Sequence, residues 1–260
     1  MSLIISRMKK IFLGLIGLIV MGSCASKEDI YYLQDAEMNA AGSITYPDVL
    51  IQPNDILKIT VESLNPDAAI PYNKGGLGGN QNQTIEVLKL SGYLVDINGS
   101  INFPVLGAIS TKNKTPNALG DDIKTKLITG GHLSNPNVDV RLINSKVTVL
   151  GEVNSPGTYN FTEQNITLMQ VLGYAGDLTI NGKRDNVLVT REINGVRQVS
   201  HVDLTSAEFM KSPYYFVKPN DLIIINPNKP KVASSGFVGN VGTVATVISL
   251  VLSMTILLTR

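Results

Sequence analysis

Leu50-Ile51-Gln52-Pro53-Asn54-Asp55-Ile56-Leu57-Lys58-Ile59-Thr60-Val61-Glu62-Ser63 sets the first element of the fold. Pro53-Asn54-Asp55 reads as a turn, because Asn and Asp side chains bond nearby backbone N–H groups. From Ile56 the residues alternate. Leu57, Ile59 and Val61 fall on one face, and Lys58, Thr60 and Glu62 on the other. Period two predicts a half-buried strand over Ile56–Ser63. The same order recurs late in the chain as Phe216-Val217-Lys218-Pro219-Asn220-Asp221-Leu222-Ile223-Ile224-Ile225. A catalytic pairing of Asp55 with Asp221 is one reading of the echo. A turn used twice, each time feeding an apolar strand, is the reading the residues favour.

Outward from these two segments, further strands are expected over Glu86–Ile97, Ser100–Val105, Val138–Leu142, Lys146–Leu150, Val187–Arg191 and Leu222–Ile225. Asn98-Gly99 and Asn194-Gly195 are hairpin turn signals. Two helices interrupt the strands. Pro116–Thr129 has Thr115 as its cap, Pro116 in the first turn, Leu119, Ile123 and Leu127 as its apolar stripe, and Gly130 as its stop. Thr167–Tyr174 is shorter and turns Leu168, Val171 and Leu172 inward. Few strands with one helix per unit place the chain in the α+β class, as small β-rich modules. Gly75-Gly76-Leu77-Gly78-Gly79 lies in a polar stretch and lacks the Lys-Ser/Thr ending of a phosphate loop, so it reads as a flexible loop.

The chain has 260 residues, 17% of them charged, below the roughly 25% of an average soluble domain. Its 22 basic and 21 acidic residues leave a formal charge of +1. That balance excludes a strongly basic nucleic-acid binder and an acidic tail. With 6% aromatics and no Trp, an aromatic platform for sugars is not expected.

The charges are unevenly placed. Arg7, Lys9 and Lys10 form a basic region ahead of the apolar run Ile11–Val20, which is too short to span a bilayer. Residues 1–23 therefore read as an export signal. Met21-Gly22-Ser23-Cys24 follows, with small residues ahead of the chain's single cysteine. That pattern predicts cleavage before Cys24 and attachment of a diacylglyceryl group to its thiol. A lone cysteine also excludes an intramolecular disulfide. At the other end, residues 232–259 carry no charge. As a helix they would be about 42 Å long, so Phe237–Leu258 is expected to span the membrane. Ser235, Gly239, Gly242, Thr246, Ser249 and Ser253 form one narrow stripe on that helix, suited to close packing or to facing a wet lumen.

No catalytic or metal constellation emerges. His132 and His201, the only histidines, have no ligand spacing. No G-x-S-x-G elbow or nucleotide loop is present. The chain is expected to be no enzyme and to need no metal or cofactor.

Three segments together resemble the polysaccharide biosynthesis and export lipoproteins of the outer membrane. Ile51-Gln52-Pro53-Asn54-Asp55 is similar to the family's opening Pro-Gly-Asp turn, with Asn54 in place of Gly. Asp96-Ile97-Asn98-Gly99-Ser100-Ile101-Asn102-Phe103-Pro104-Val105-Leu106-Gly107 resembles the signature D-x-x-G-x-I-x-x-P-x-L-G. Val147 to Tyr159, containing Pro156-Gly157, resembles the start of a soluble-ligand-binding β-grasp domain. Pro53, Asn54, Asp55, Pro104, Gly107, Pro156 and Gly157 are then structural turns.

The resemblance implies a signal at 1–23, a lipidated linker at 24–45 and an export domain at 46–143. A β-grasp domain at 144–229 and a transmembrane helix at 232–259 follow, with a partial second β-grasp unit around Phe216–Asn226. It further implies a homo-oligomeric ring, octameric in well-known members. The ring would be lipid-anchored in the outer membrane with its bulk in the periplasm. It would export capsular or exopolysaccharide and partner an inner-membrane chain-length regulator, often a tyrosine autokinase. A non-conducting lipoprotein that binds or scaffolds surface polysaccharide is the alternative.

Overall fold

The computed structural model describes residues 30–39, 43–74, 84–193, 195–235 and 241–258. Two apolar cores organise it.

The first core gathers around β1 (Ile56–Glu62), which pairs antiparallel with β2 (Tyr93–Leu94) on one side and β5 (Asn137–Leu142) on the other. Leu57, Ile59 and Val61 are buried, as their alternation requires. A hairpin of β3 (Ser100–Phe103) and β4 (Gly107–Ser110) adds Ile101, Phe103 and Ile109. Helix α2 (Pro116–Thr129) covers this core. The Thr115 hydroxyl accepts the Ala118 N–H at 3.1 Å, and Leu119, Ile123 and Leu127 have no exposed surface.

Between β1 and β2 the structure corrects the sequence reading. Glu86–Ile97 is not one strand. Ile85–Ser91 forms helix α1, and only Tyr93 and Leu94 join the ladder. Leu88, Lys89 and Leu90 are good helix formers, and a five-residue apolar window does not separate the two periods. Gly92 ends α1 where the chain must pass β1. A Cβ there would lie 2.4 Å from Ile56 Cγ2.

The second core is covered by a five-stranded sheet in the order β10-β9-β12-β6-β7, numbering β6 Lys146–Gly151, β7 Gly157–Asn160, β9 Gly182–Ile193, β10 Val196–Val202 and β12 Leu222–Pro227. β8 (Ile166–Thr167) and β11 (Phe216–Val217) form a small separate pair. Helix α3 (Leu168–Tyr174) packs inward through Leu168, Val171 and Leu172. Its start is a capping box. The Thr167 hydroxyl accepts the Gln170 N–H, and the Gln170 side chain accepts the Thr167 N–H.

The region around Phe216–Asn226 is not a partial second unit. β12 lies parallel to β6, with Leu222 opposite Thr148, and antiparallel to β9. It is an interior strand of the same sheet. Its unbroken apolar run Leu222–Ile225 fits a strand with neighbours on both sides.

The C-terminal expectation is also corrected. α4 (Lys229–Ser234) is capped by Asn228, whose Oδ1 accepts the Lys231 N–H at 3.0 Å, and it ends before Ser235. α5 covers Val241–Leu258. Its 18 residues give about 27 Å, against a hydrocarbon thickness of about 30 Å. Among the described residues no helix is long and apolar enough to cross a membrane. The signal, Cys24, the Gly75–Gly79 run and Gly239 lie outside the described residues.

Candidate functional site

The two Pro-Asn-Asp turns flank the junction between the cores. Asn54 and Asn220 have φ of 69° and 68°, left-handed values that Asn tolerates and that Gly would adopt without strain. The Gln52 N–H donates to Asp55 Oδ2 at 2.8 Å, and the Lys218 N–H donates to Asp221 Oδ2 at 2.9 Å. Each aspartate thus ties down the start of its own turn.

The turns also hold the connecting residues 143–145. Asn144 Nδ2 donates to the Asn54 carbonyl at 3.0 Å, while Asn144 Oδ1 accepts the Ile56 N–H at 2.8 Å. From the other side, the Asn220 N–H donates to the Lys146 carbonyl at 2.7 Å. The linker between β5 and β6 is therefore gripped at both ends by the repeated turn.

The environments of the two aspartates differ. Asp221 is 1% exposed and meets Arg191, itself 3% exposed, through Nη2 to Oδ2 at 2.6 Å and Nε to Oδ1 at 2.9 Å. Arg191 also donates to the carbonyls of Pro213 and Phe216 and lies over the Tyr214 ring. Asp55 is buried too but has no cation against it among the described residues. Burial pushes its carboxyl up to about 6, opposed by the Gln52 N–H. Asp55 and Asp221 each give a carboxylate oxygen to the backbone of their own turn, the structural role of a turn used twice.

The remaining turns close hairpins. Pro104 and Gly107 bound the β3–β4 tip, where Gly107 has φ 76° and pairs with Phe103. Between them the Leu106 N–H donates to the Pro104 carbonyl, a γ-turn centred on Val105 with φ 65°. Positive φ is costly for a β-branched residue, and Val105 is 61% exposed. Pro156 and Gly157 lead into β7, where the Tyr159 hydroxyl donates back to the Ser155 carbonyl.

Along α5, Gly242, Thr246, Ser249 and Ser253 are exposed. Their hydroxyls are already engaged. Thr246 donates to the Gly242 carbonyl at 2.7 Å, Ser249 to Thr246 at 3.0 Å, and Ser253 to Ser249 at 2.8 Å. Ser235 lies outside α5 and donates to the Lys231 carbonyl. The stripe can thus let a neighbouring helix approach without leaving hydroxyls unpaired.

A cleft of about 480 Å³ opens between the two cores. Its walls include Tyr46, Asp48, Arg141, Phe161, Glu163 and Asn165. Sequence reasoning missed it, along with Arg191, Asn144 and the docking of residues 30–39 on the second core. One signal for Arg191 was present. It follows Val187 and Val189 on the core face of a strand, where a charge needs a partner. Among the described residues no three or more His, Cys, Asp or Glu side chains gather to hold a metal ion. His132 packs edge-on against Tyr72, and His201 meets Asn186.

Two α+β units joined by a clamped linker, with paired turns and a hairpin tip in fixed order, define a protein of two small α+β domains. Residues 35–143 match the polysaccharide biosynthesis/export protein family, and residues 146–199 match the SLBB domain. By these matches the first domain falls in the polysaccharide biosynthesis/export family and the second carries an SLBB domain. It is 30% identical over 147 residues to the EPS I polysaccharide export outer membrane protein EpsA of Ralstonia nicotianae, covering 54% of this chain and 38% of that protein. It is 26% identical over 201 residues to the protein of the same name in Ralstonia solanacearum, covering 75% and 52%. The chain thus spans about half, or less, of the length of these relatives.

Proposed function

We propose that the chain is a subunit of an outer-membrane channel that exports capsular or exopolysaccharide as a homo-oligomeric ring. The observation that carries this reading is the matching of both domains, in order, to the export family and the SLBB domain. The relatives' names supply the outer membrane and the polysaccharide.

In this reading Cys24 carries the lipid and the two domains stand in the periplasm. An inner-membrane chain-length regulator, of the tyrosine autokinase type, is the partner. The domains begin at 46 and 144. α5 is the segment in contact with lipid and neighbouring copies. Ile248, Leu250, Leu252, Met254 and Ile256 are 42–65% exposed on it, and that apolar surface needs a cover. The small-residue stripe is where copies approach closely. A long hydrophilic polymer needs a path that binds weakly along its length, so dispersed hydroxyls and amides suit the task better than one tight site.

The test is the mass and symmetry of the full chain in mild detergent, beside a version ending at Lys231. Surface polysaccharide is measured in a strain lacking the gene and complemented with either version. A closed ring that needs residues 232–260, with export restored only by the full chain, supports the channel. A monomer in both versions with export intact gives the scaffold reading instead.

A further inference from the structure

We infer that the cleft between the two domains is a binding site for a short stretch of neutral, hydroxyl-rich glycan. This rests on the export reading for its biological meaning, but the argument for the site is chemical.

The volume, about 480 Å³, falls in the range of about 300–1,000 Å³ usual for small-ligand sites, and domain junctions are where such sites concentrate. Both domains contribute to it. Thr115, Asn117 and Arg141 come from the first, and Phe161, Glu163 and Asn165 from the second. The residue 43–50 segment, which crosses between the cores, adds Tyr46 and Asp48.

Tyr46 is the aromatic wall. One side of its ring packs on Phe216, with centroids 5.4 Å apart, and the residue remains 66% exposed. An aromatic ring held by a tilted neighbour and largely exposed offers surface on which the apolar face of a sugar ring packs. Composition alone argues against a sugar platform. The fold places a single Tyr where one is useful.

Asn165 supplies the polar anchor. Its Oδ1 is buried and makes no hydrogen bond. An orphaned buried acceptor costs free energy, and a hydroxyl donor entering beside it after a small amide rotation would recover that loss.

The charge of the cleft selects against acidic glycans. Arg141 Nε donates to Asp139 Oδ2 at 2.9 Å, so its charge is balanced locally. Asp48 and Glu163 then leave the lining net negative. A uronate would meet like charge, whereas neutral hydroxyls donate readily to carboxylates.

The experiment is saturation-transfer NMR and calorimetry on the full chain in mild detergent, with maltotriose, cellotriose and mannotriose as neutral probes and trigalacturonate as the acidic one. At least one neutral probe should bind, and trigalacturonate should bind at least about tenfold more weakly, as one repelled charge pair would give. Tyr46→Ala and Asn165→Ala should each weaken the neutral probe by about tenfold, and Tyr46→Phe should retain it. Thermal unfolding of each variant identifies one that has simply lost its fold, and Glu163→Gln, a conservative change at the rim, then serves in its place. For Glu163→Gln the discrimination against trigalacturonate should shrink.

The site is overturned if no neutral probe binds, if binding is unchanged in both alanine variants, or if trigalacturonate binds as tightly as the neutral sugars. The export reading fails separately. If the gene restores surface polysaccharide but no probe binds, the cleft is wrong and export stands. If probes bind in the cleft but loss of the gene leaves surface polysaccharide unchanged, export is wrong and the cleft stands.

Discussion

Asp55 and Asp221 hold corresponding places in two copies of one turn, yet only Asp221 faces a guanidinium. Each accepts the N–H three residues before it, and each is buried. What differs is the neighbouring strand. β9 brings Arg191 to Asp221, whereas among the described residues no cation pairs with Asp55. The same local structure therefore carries two different electrostatic costs.

For Asp55 this gives a pH dependence of defined sign. Its folded value of about 6 stands above the unfolded value of 3.8. Between those pH values the folded chain holds a proton that the unfolded chain has lost. Unfolding free energy thus falls as pH rises through that window, and the penalty is complete above about pH 6. The gap between the two values corresponds to at most ~3 kcal/mol. Asp55→Asn keeps an oxygen for the Gln52 N–H and cannot ionise. After the cost of burying its amide, it should be more stable than the parent by about 1–2 kcal/mol at pH 7.5. Near pH 4 the ionisation penalty is nearly gone and the amide cost remains, so the order should reverse, the variant falling about 1 kcal/mol below the parent. Denaturant midpoints at both pH values check this, and a constant difference would rule it out.

Asp221 should behave in the opposite way. Asp221→Asn leaves the Arg191 charge buried and opposed only by carbonyls. Removing one partner of a buried pair costs about 3–5 kcal/mol. The loss should appear at neutral pH, where Asp55→Asn gains. The pair Arg191→Met with Asp221→Leu should recover much of it, because it removes both charges together. A double-mutant cycle by chemical denaturation measures the coupling.

How much of this was legible before folding depends on the distance over which each feature is written. Helix α2 was readable because Thr115, Pro116, Leu119, Ile123 and Leu127 state its cap and its face within thirteen residues. β1 was readable for the same reason. α1 was misread because Glu86–Leu90 is too short to separate period 2 from period 3.6. The place of β12 was not readable at all, since its partners β6 and β9 lie dozens of residues upstream and no local pattern names them. The cleft was hidden for a related reason. Tyr46, Arg141 and Asn165 meet only after two domains have folded around the Asn144 junction.

Glycine positions offer a sharper contrast between strain and space. Gly151 and Gly107 both have positive φ, 94° and 76°. A Cβ on Gly107 would meet nothing within 4 Å, whereas one on Gly151 would lie 2.0 Å from the Ile225 carbonyl oxygen. Gly107→Ala should therefore cost only the conformational penalty, about 1–2 kcal/mol. Gly151→Ala must also push β6 from β12, and should cost more than about 4 kcal/mol or prevent the second domain from folding. Thermal unfolding followed by far-ultraviolet circular dichroism distinguishes the two. Equal losses would mean that the sheet yields easily at Gly151.

The N-terminal segment provides the last test. Residues 30–39 precede the first domain in sequence but dock on the second. The Leu33 N–H donates to the Leu204 carbonyl at 3.1 Å, and the Gln34 N–H to the Thr205 carbonyl at 2.7 Å. Asp35 accepts the Ser206 hydroxyl and the Ala207 N–H, bonds that hold its carboxyl below the usual range. Tyr32 donates to Asp177 Oδ1 and lies under the Arg184 guanidinium, 5.0 Å from ring centroid to Cζ. Burial and that bond push the Tyr32 hydroxyl above its ordinary value. The second domain is thereby fastened from both ends of the chain segment that encloses the first. Tyr32→Ala should remove the ring, the hydroxyl bond and the cover over Arg184, lowering stability by about 2–3 kcal/mol. Tyr32→Phe should cost about 1 kcal/mol, because the ring stays. Hydrogen exchange gives the direct readout. The Leu33 and Gln34 amides should be protected in the parent and should exchange faster in Tyr32→Ala, while α2 amides in the first domain keep their rates. Free exchange at Leu33 and Gln34 in the parent would show that the segment does not dock.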